Sequence, residues 1–161
     1  DALTTDAAVK MYEKFGIFTR KELESRQEII YETYAKSINI EALTMIEMAG
    51  KQIIPAVIKY SRMLADTVNS VKAAGGDASV ESEQLHEVST RLVSMQKSLK
   101  ELRTEEKKAS SIKDQRKQAF YYKDKVNTAM EKLRKPADEL EMMVDKKIWP
   151  IPTYGDLMFD V

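Results

Sequence analysis

The 161-residue sequence contains no cysteine, a single histidine and no excess of either charge. The absence of cysteine excludes disulfides, thiolate metal ligands and cysteine nucleophiles, and it makes a reducing cytosol the default compartment. The 26 basic side chains are matched by 26 acidic ones. A protein that holds nucleic acid by neutralising phosphates normally carries a basic excess, so no nucleic-acid partner is expected.

Long hydrophobic runs and helix breakers are scarce as well. No apolar stretch approaches the roughly 20 residues that span a bilayer, and no signal peptide is visible, so no membrane partner is expected. Four prolines, five glycines and 32% charged residues favour long helices. The length fits one domain over residues 1–161. The start at Asp1 without an initiator methionine favours a fragment or a processed product.

The stretch from Ile38 to Ile58 organises the predicted fold. Read as a helix, it confines its polar residues to one narrow stripe and is apolar elsewhere. A helix that is apolar over most of its circumference is covered from several sides. We therefore expect this stretch to be the central element, with the other helices packed around it.

Breakers and capping sequences divide the chain into four helices and a tail. The expected helices span about residues 4–15, 20–73, 79–109 and 112–147, and the tail spans 148–161. Pro55 predicts a kink in the second helix. The third and fourth helices each carry an apolar heptad seam, which predicts near-antiparallel packing at about 20°. The predicted fold is all-α, an up-down bundle of three long helices plus a short N-terminal helix, with an extended apolar C-terminal tail.

The second helix is longer than either of its partners, so its first half should be partly bare. The first helix, with an apolar face at Ala8, Met11, Tyr12 and Phe15, and the apolar tail are the material left to cover it. We therefore expect both segments to pack on residues 20–45.

The tail is the candidate functional stretch. It cannot be helical through Pro150 and Pro152, yet it is too apolar for a free, solvated end. It either completes the core of this domain or also forms a contact surface for another domain or subunit. Aromatic residues commonly anchor such interfaces. The candidate docking residues are Trp149, Pro150, Tyr154, Leu157 and Phe159.

No group of residues has the pattern of a catalytic, cofactor-binding or metal site. His86 faces away from the heptad seam and is interpreted as a surface histidine. Glu41 and Glu47 lie six residues apart on the polar stripe, which favours a solvated or salt-bridged role. The Gly75-Gly76 pair lacks the Lys-Ser/Thr of a phosphate loop and is read as a turn. The basic run over residues 97–117 is interleaved with acidic residues, which is typical of a solvated helix pair.

Two long strings carry a resemblance to a known family. YAKSINIEALTMIEMAGKQIIPAV and ADELEMMVDKKIWPIPTYGDLMF resemble the C-terminal region of type III glutamine synthetases, and KFGIFTRKELESRQEI is similar as well. The resemblance covers nearly the whole chain in order and is weakest from Ala74 to Lys117.

This resemblance implies a parent enzyme that joins ammonia to glutamate with ATP and divalent metal (Mg or Mn), as a large cytoplasmic oligomer of stacked hexameric rings. The family's catalytic, nucleotide-binding and metal-binding residues lie upstream, so none is carried onto this chain. The implied role is a non-catalytic helical domain. The implied partners are the catalytic domain of the same polypeptide and neighbouring subunits.

Two other classes of function stay open from the residues alone. A free-standing helical-bundle or coiled-coil interaction module would bind a partner helix. An independent enzyme would show turnover by this chain alone.

Overall fold

The computed structural model describes residues 2–159, and that range contains helices and no β-strand. The α-helices in that range are α1 (Asp6–Lys14), α2 (Arg20–Met48), α3 (Ile54–Ala73), α4 (Ser79–Ser110), α5 (Gln115–Tyr121), α6 (Asn127–Glu141) and α7 (Tyr154–Phe159). A 3-10 turn at Ala2–Thr4 precedes α1. Single π-helical turns at Ala49–Ile53 and Tyr122–Val126 join α2 to α3 and α5 to α6. The predicted all-α bundle with a short N-terminal helix is confirmed.

The second predicted helix runs without a break from Arg20 to Ala73. It starts at the predicted capping box, where the Thr19 backbone N–H donates to Glu22 Oε2 at 2.7 Å and the Thr19 hydroxyl oxygen accepts from the Glu22 backbone N–H. Such reciprocal bonds satisfy amides that have no partner within the helix. The helix ends where Gly75 takes a φ of +79°, a conformation that favours glycine. The Gly75-Gly76 turn is thus confirmed.

Pro55 is accommodated by a wider helical turn. The Ile54 backbone N–H donates to the carbonyl of Ala49, five residues earlier, directly before the proline. In a regular α-helix the proline ring crowds the carbonyl four residues earlier, and a π turn leaves room for it. The irregularity expected near Pro55 is therefore this turn, and the helical path continues through it.

The prediction that Ile38–Ile58 is covered from several sides is wrong. Ile40 is 65% exposed, Leu43 47% and Ile58 54%. The helix buries one side only, because α4, α5 and α6 all pack on that side. The central position belongs instead to α4, which packs on α2, α3 and α6.

The apolar seam of α4 is the middle of the core, as its heptad spacing predicts. Val88, Met95, Leu99 and Leu102 are each at most 1% exposed, and Leu85 and Leu92 pack against them. On their buried side, α2 and the first π turn present small residues at heptad spacing, Ala35, Ala42 and Ala49, which belong to the same core.

The fourth predicted helix differs from its expected bounds of 112–147. It begins at Gln115, because the Asp114 side chain accepts a hydrogen bond from the Lys117 backbone N–H at 2.8 Å and caps it. It ends at Glu141, so Val144 is buried from a turn rather than from a helix.

Lys123, which interrupts the fourth seam, is exposed, and Tyr122 takes the buried position instead. Tyr122 is 2% exposed and lies in the π turn. Pro136 is also buried, and α6 continues through it.

The first helix covers the start of α2 as expected, although by a different face. Val9 is buried at 1% exposure, whereas Met11 is 48% and Phe15 69% exposed. An ion pair also holds the start of this short helix: the Arg20 guanidinium pairs with Asp6 at 2.9 Å. The predicted apolar face is therefore wrong at Met11 and Phe15.

The tail does not pack on residues 20–45, so that prediction is wrong. Helix α5 covers this part of α2 instead: the rings of Tyr31 and Phe120 lie 6.2 Å apart, and Asn127 Nδ2 lies 3.4 Å from the Tyr34 hydroxyl. The physical reason is the antiparallel return of the fourth helix, whose first turns lie beside the first half of α2.

Candidate docking surfaces

The chain turns back on itself after α6 and buries Trp149. The backbone N–H groups of Ile148 and Trp149 both donate to the carbonyl of Asp145, at 2.8 and 3.0 Å. The Trp149 side chain is 7% exposed and belongs to the main core, and its Nε1 has no hydrogen-bond partner among the described residues. Packing rather than hydrogen bonding therefore holds the indole in place.

Beyond Trp149 the tail lies along α6 and the first π turn. A cleft of about 180 Å³ separates it from the core. The cleft is lined by Ile53, Ala137, Asp138, Glu141, Trp149, Ile151, Pro152 and Leu157. The tail is thus anchored near the middle of the long second helix.

A reciprocal cap and an ion pair fix the direction of α7. The Thr153 backbone N–H and hydroxyl donate to Asp156 Oδ2 at 3.0 and 2.8 Å, and the Asp156 backbone N–H donates to the Thr153 hydroxyl oxygen at 3.2 Å. The Lys146 ammonium donates to Asp156 Oδ1. These bonds favour the charged carboxylate, chiefly through Lys146 and then through Thr153, and lower the pKa of Asp156 from 3.8 to about 2.

Acid should loosen this end of the tail. Because the folded pKa of Asp156 is depressed, its stabilising effect is full above the ordinary value of 3.8 and is lost as the pH falls towards about 2. An acid titration from pH 5 to pH 2, followed by amide exchange of the α7 segment, should show lower protection below pH 4, where protection is the intrinsic exchange rate at each pH divided by the observed rate. Asp156→Asn should show low protection already at pH 5 and lose most of this pH dependence. Identical profiles for the two proteins would contradict this account.

The outer face of α7 is apolar and exposed. Leu157 is 71% exposed, Met158 72% and Phe159 80%. A short helix that is fixed in direction and yet presents three large apolar side chains is typical of a contact element rather than of a free terminus.

The five predicted docking residues thus divide into two groups. Trp149 completes the core of this domain, whereas Pro150, Leu157 and Phe159 are exposed. Tyr154 starts α7, and its side chain lies outside the described part of the structure. The tail therefore completes the core of this domain through Trp149 and also leaves an apolar face exposed.

A second apolar surface lies between α2 and α5. This α2–α5 cleft has a volume of about 260 Å³ and is lined by Ile30, Tyr31, Tyr34, Ala119, Phe120 and Lys123. Ile30 is 54% exposed and Phe120 38%. The sequence analysis missed this cleft, although the adjacent apolar residues Ile30-Tyr31 and Ala119-Phe120 belong to its two walls.

The remaining candidates for chemistry are surface groups. His86 is exposed, and Glu47 pairs with Lys51 at 2.8 Å, as the salt-bridged stripe predicts. Within residues 2–159, no three His, Cys, Asp or Glu side chains are grouped so that they fit a metal ion. In the same range, no helix has the length and apolar character to cross a membrane.

A polar cleft between α4 and α6 brings lysines close to carboxylates. Lys132 pairs with Glu101 at 2.6 Å, and Arg91 Nε lies 3.4 Å from Glu139. Neighbouring charges of opposite sign leave little net field for a phosphate chain. Within the basic run, Glu101 and Glu105 therefore act locally, as ion-pair partners of Lys132 and Lys108.

These features define a class of protein, an all-helical domain with exposed apolar surfaces. Comparison with known proteins gives the family. The model of the glutamine synthetase C-terminal domain matches residues 1–72. A glutamine synthetase of Butyrivibrio fibrisolvens is 34% identical over 159 residues, which cover 98% of this chain and 23% of the relative.

Two further relatives agree with this result. A type-3 glutamine synthetase of Dictyostelium discoideum is 28% identical and covers 98% of this chain. A glutamine synthetase of Bacteroides fragilis strain YCH46 is 28% identical and covers 89%. The chain spans 22% and 20% of these two relatives.

The chain is therefore a C-terminal domain of the glutamine synthetase family, with a type-3 enzyme among its relatives. The identification based on the three sequence strings is confirmed.

Proposed function

We propose that this domain is the non-catalytic, supporting part of a type III glutamine synthetase, and that its apolar surfaces contact the catalytic domain and neighbouring subunits. The proposed parent joins ammonia to glutamate with ATP and a divalent metal, in the cytoplasm and as an oligomer. The observation that carries the supporting role is α7, which is anchored through Trp149 and presents Leu157, Met158 and Phe159 outward.

Among residues 2–159, no group of side chains fits the divalent metal of the proposed parent. A divalent cation of this kind takes oxygen ligands, mainly carboxylates. Several carboxylates described above are instead paired with lysines: Glu47 with Lys51, Glu101 with Lys132, and Asp156 with Lys146. We therefore derive no catalytic step through this chain and place ATP and metal in the rest of the proposed enzyme.

The relatives also bear on the alternatives. Each of the three is a glutamine synthetase of which this chain matches about a fifth to a quarter. That pattern favours a part of a larger enzyme over a free-standing adapter.

The supporting role is tested by Met158→Asp in a full-length glutamine synthetase that carries this domain. Met158 is 72% exposed, so the change should leave the fold of the domain intact. A charge buried in the proposed contact should lower the assembled mass or the thermal stability of the whole enzyme. Sedimentation velocity and a thermal melt measure both quantities.

The matched control is Val93→Asp, since Val93 is 70% exposed on α4 and lines neither apolar surface. Equal mass, stability and turnover for the two variants would overturn the supporting role. A separate assay of this chain alone with ATP, glutamate, ammonia and Mg²⁺ should give no product. Glutamine formed by the chain alone would overturn its non-catalytic character.

A further inference from the structure

We propose that the α2–α5 cleft receives the outer face of α7 from a second copy of this chain. The inference rests on the proposed role of α7 as a contact element and names the surface that it contacts. Both surfaces are apolar, and both remain exposed within one copy: Phe159 at 80% on α7 and Ile30 at 54% in the cleft.

The dimensions of the cleft suit a side chain of α7. Its volume is about 260 Å³. A cavity of about 150 Å³ takes a benzene molecule, so the cleft has room for a phenyl ring and part of a neighbouring aliphatic chain. Phe159 and Met158 are side chains of this kind, and they are consecutive residues of α7.

The distances exclude the tail of the same copy. The tail is anchored beside Ile53, which lies 19 residues from Tyr34 of the cleft along a continuous helix, or about 30 Å. Extended residues from Trp149 to Thr153 span at most about 14 Å, and the six residues of α7 add about 9 Å. The total of about 23 Å falls short, and the Lys146–Asp156 pair further restricts α7. A second copy meets no such limit.

The charges at the two surfaces are complementary. Residues 113–125, which form the α5 wall and the following turn, hold five basic and two acidic residues, whereas residues 24–36, which include the α2 wall, hold three acidic and two basic ones, so the two walls together carry a net charge of +2. Residues 149–161 hold no basic residue and two aspartates, of which Asp156 is paired with Lys146. Among the six residues that line the cleft, Lys123 is the charged one. Opposite charges at the rims favour the encounter and disfavour pairing of α7 with α7.

Such a contact joins two different surfaces, so it either pairs two copies reciprocally about a two-fold axis or is heterologous and repeats from copy to copy. Repetition gives a ring when the rotation closes and an open chain when it does not. The contact is small, so association should appear at high protein concentration rather than at nanomolar levels.

Two single variants test this contact in solution. Phe159→Asp removes the apolar tip of α7, and Ile30→Glu places a charge in the cleft. Both residues are more than half exposed, so both proteins should fold normally by circular dichroism. Light scattering over a series from about 10 μM to about 1 mM then gives the mass, since contacts of this size are weak.

The wild-type mass should grow with concentration, to that of a dimer if the contact is reciprocal and beyond it if the contact repeats. The association constant of each variant should be about tenfold lower than that of the wild type, because an unpaired carboxylate opposes burial. An equimolar mixture of the two variants should recover one contact, between the intact α7 of Ile30→Glu and the intact cleft of Phe159→Asp, and should stop at a dimer. Val93→Asp is the matched control and should behave as wild type.

Three results would overturn the inference: a wild-type monomer at every concentration, variants that associate as wild type does, or a mixture that stays monomeric. None of these coincides with failure of the proposed function. If the chain stays monomeric while Met158→Asp weakens the full-length enzyme, the supporting role stands and α7 contacts the catalytic domain instead.

Discussion

Replacing Trp149 by alanine should lower the free energy of unfolding of this chain by about 3–5 kcal/mol, the usual cost of removing a buried aromatic side chain. Trp149 is 7% exposed and is the point where the tail joins the main core. Its loss leaves a cavity beside Ile53 and frees the segment that carries α7. Urea unfolding followed by far-UV circular dichroism measures the change.

The control for this prediction is Phe159→Ala in the same tail. Phe159 is 80% exposed, so its truncation should change the free energy of unfolding by less than about 0.5 kcal/mol. If Trp149→Ala also falls within that range, the indole is not part of the core, and the anchoring of α7 must have another cause.

The second large effect is expected at Leu102 in the seam of α4. Leu102 is 0% exposed and belongs to the core that α4 shares with α2, α3 and α6. Leu102→Ala should destabilise the chain by about 2–5 kcal/mol, through lost burial and the cavity left behind. For a domain of this size that corresponds to a fall in Tm of about 5–15 °C.

Val93→Ala is the matched change on the same helix, because Val93 is 70% exposed. Its effect should stay within about 0.5 kcal/mol. Equal Tm values for Leu102→Ala and Val93→Ala would show that α4 is not the central helix of the bundle.

The fold class was predictable because its signals are local and periodic. The Thr19–Glu22 capping box, the Gly75-Gly76 turn and the heptad seams each depend on residues close together in the sequence. The seam of the fourth helix was predicted only in part. Its regular spacing pointed to the charged Lys123, whereas the neighbouring Tyr122 is the buried residue. The π turn at Tyr122–Val126 adds one residue to a helical turn, so a regular heptad spacing does not predict it.

The sides on which helices meet were harder to predict. Ile40 and Leu43 are as apolar as core residues, yet they face outward because all the partners of α2 approach from its other side. Helix length alone suggested a bare first half of α2, whereas the antiparallel return of α5 covers part of it. Such arrangements depend on contacts between residues that are far apart in the sequence.

For the candidate docking surfaces too, the sequence predicted the segment but not its position in the fold. Composition identified the tail as a segment that must dock, and Trp149 does so. The place where it docks, and the α2–α5 cleft, depend on which helices are neighbours. Exposed apolar residues such as Ile30 and Phe120 become a cleft only when α5 lies beside α2.

The supporting role of this domain is tested most directly by amide hydrogen exchange of α7, compared between this chain alone and the full-length enzyme. We predict that the amides of residues 154–159 exchange about tenfold more slowly in the full-length enzyme than in this chain alone. The reason is that a contact covers a helix that is otherwise free to open locally. The middle of α4 around Val93 should serve as an internal reference with unchanged rates. Equal exchange of α7 in the two proteins would contradict the account.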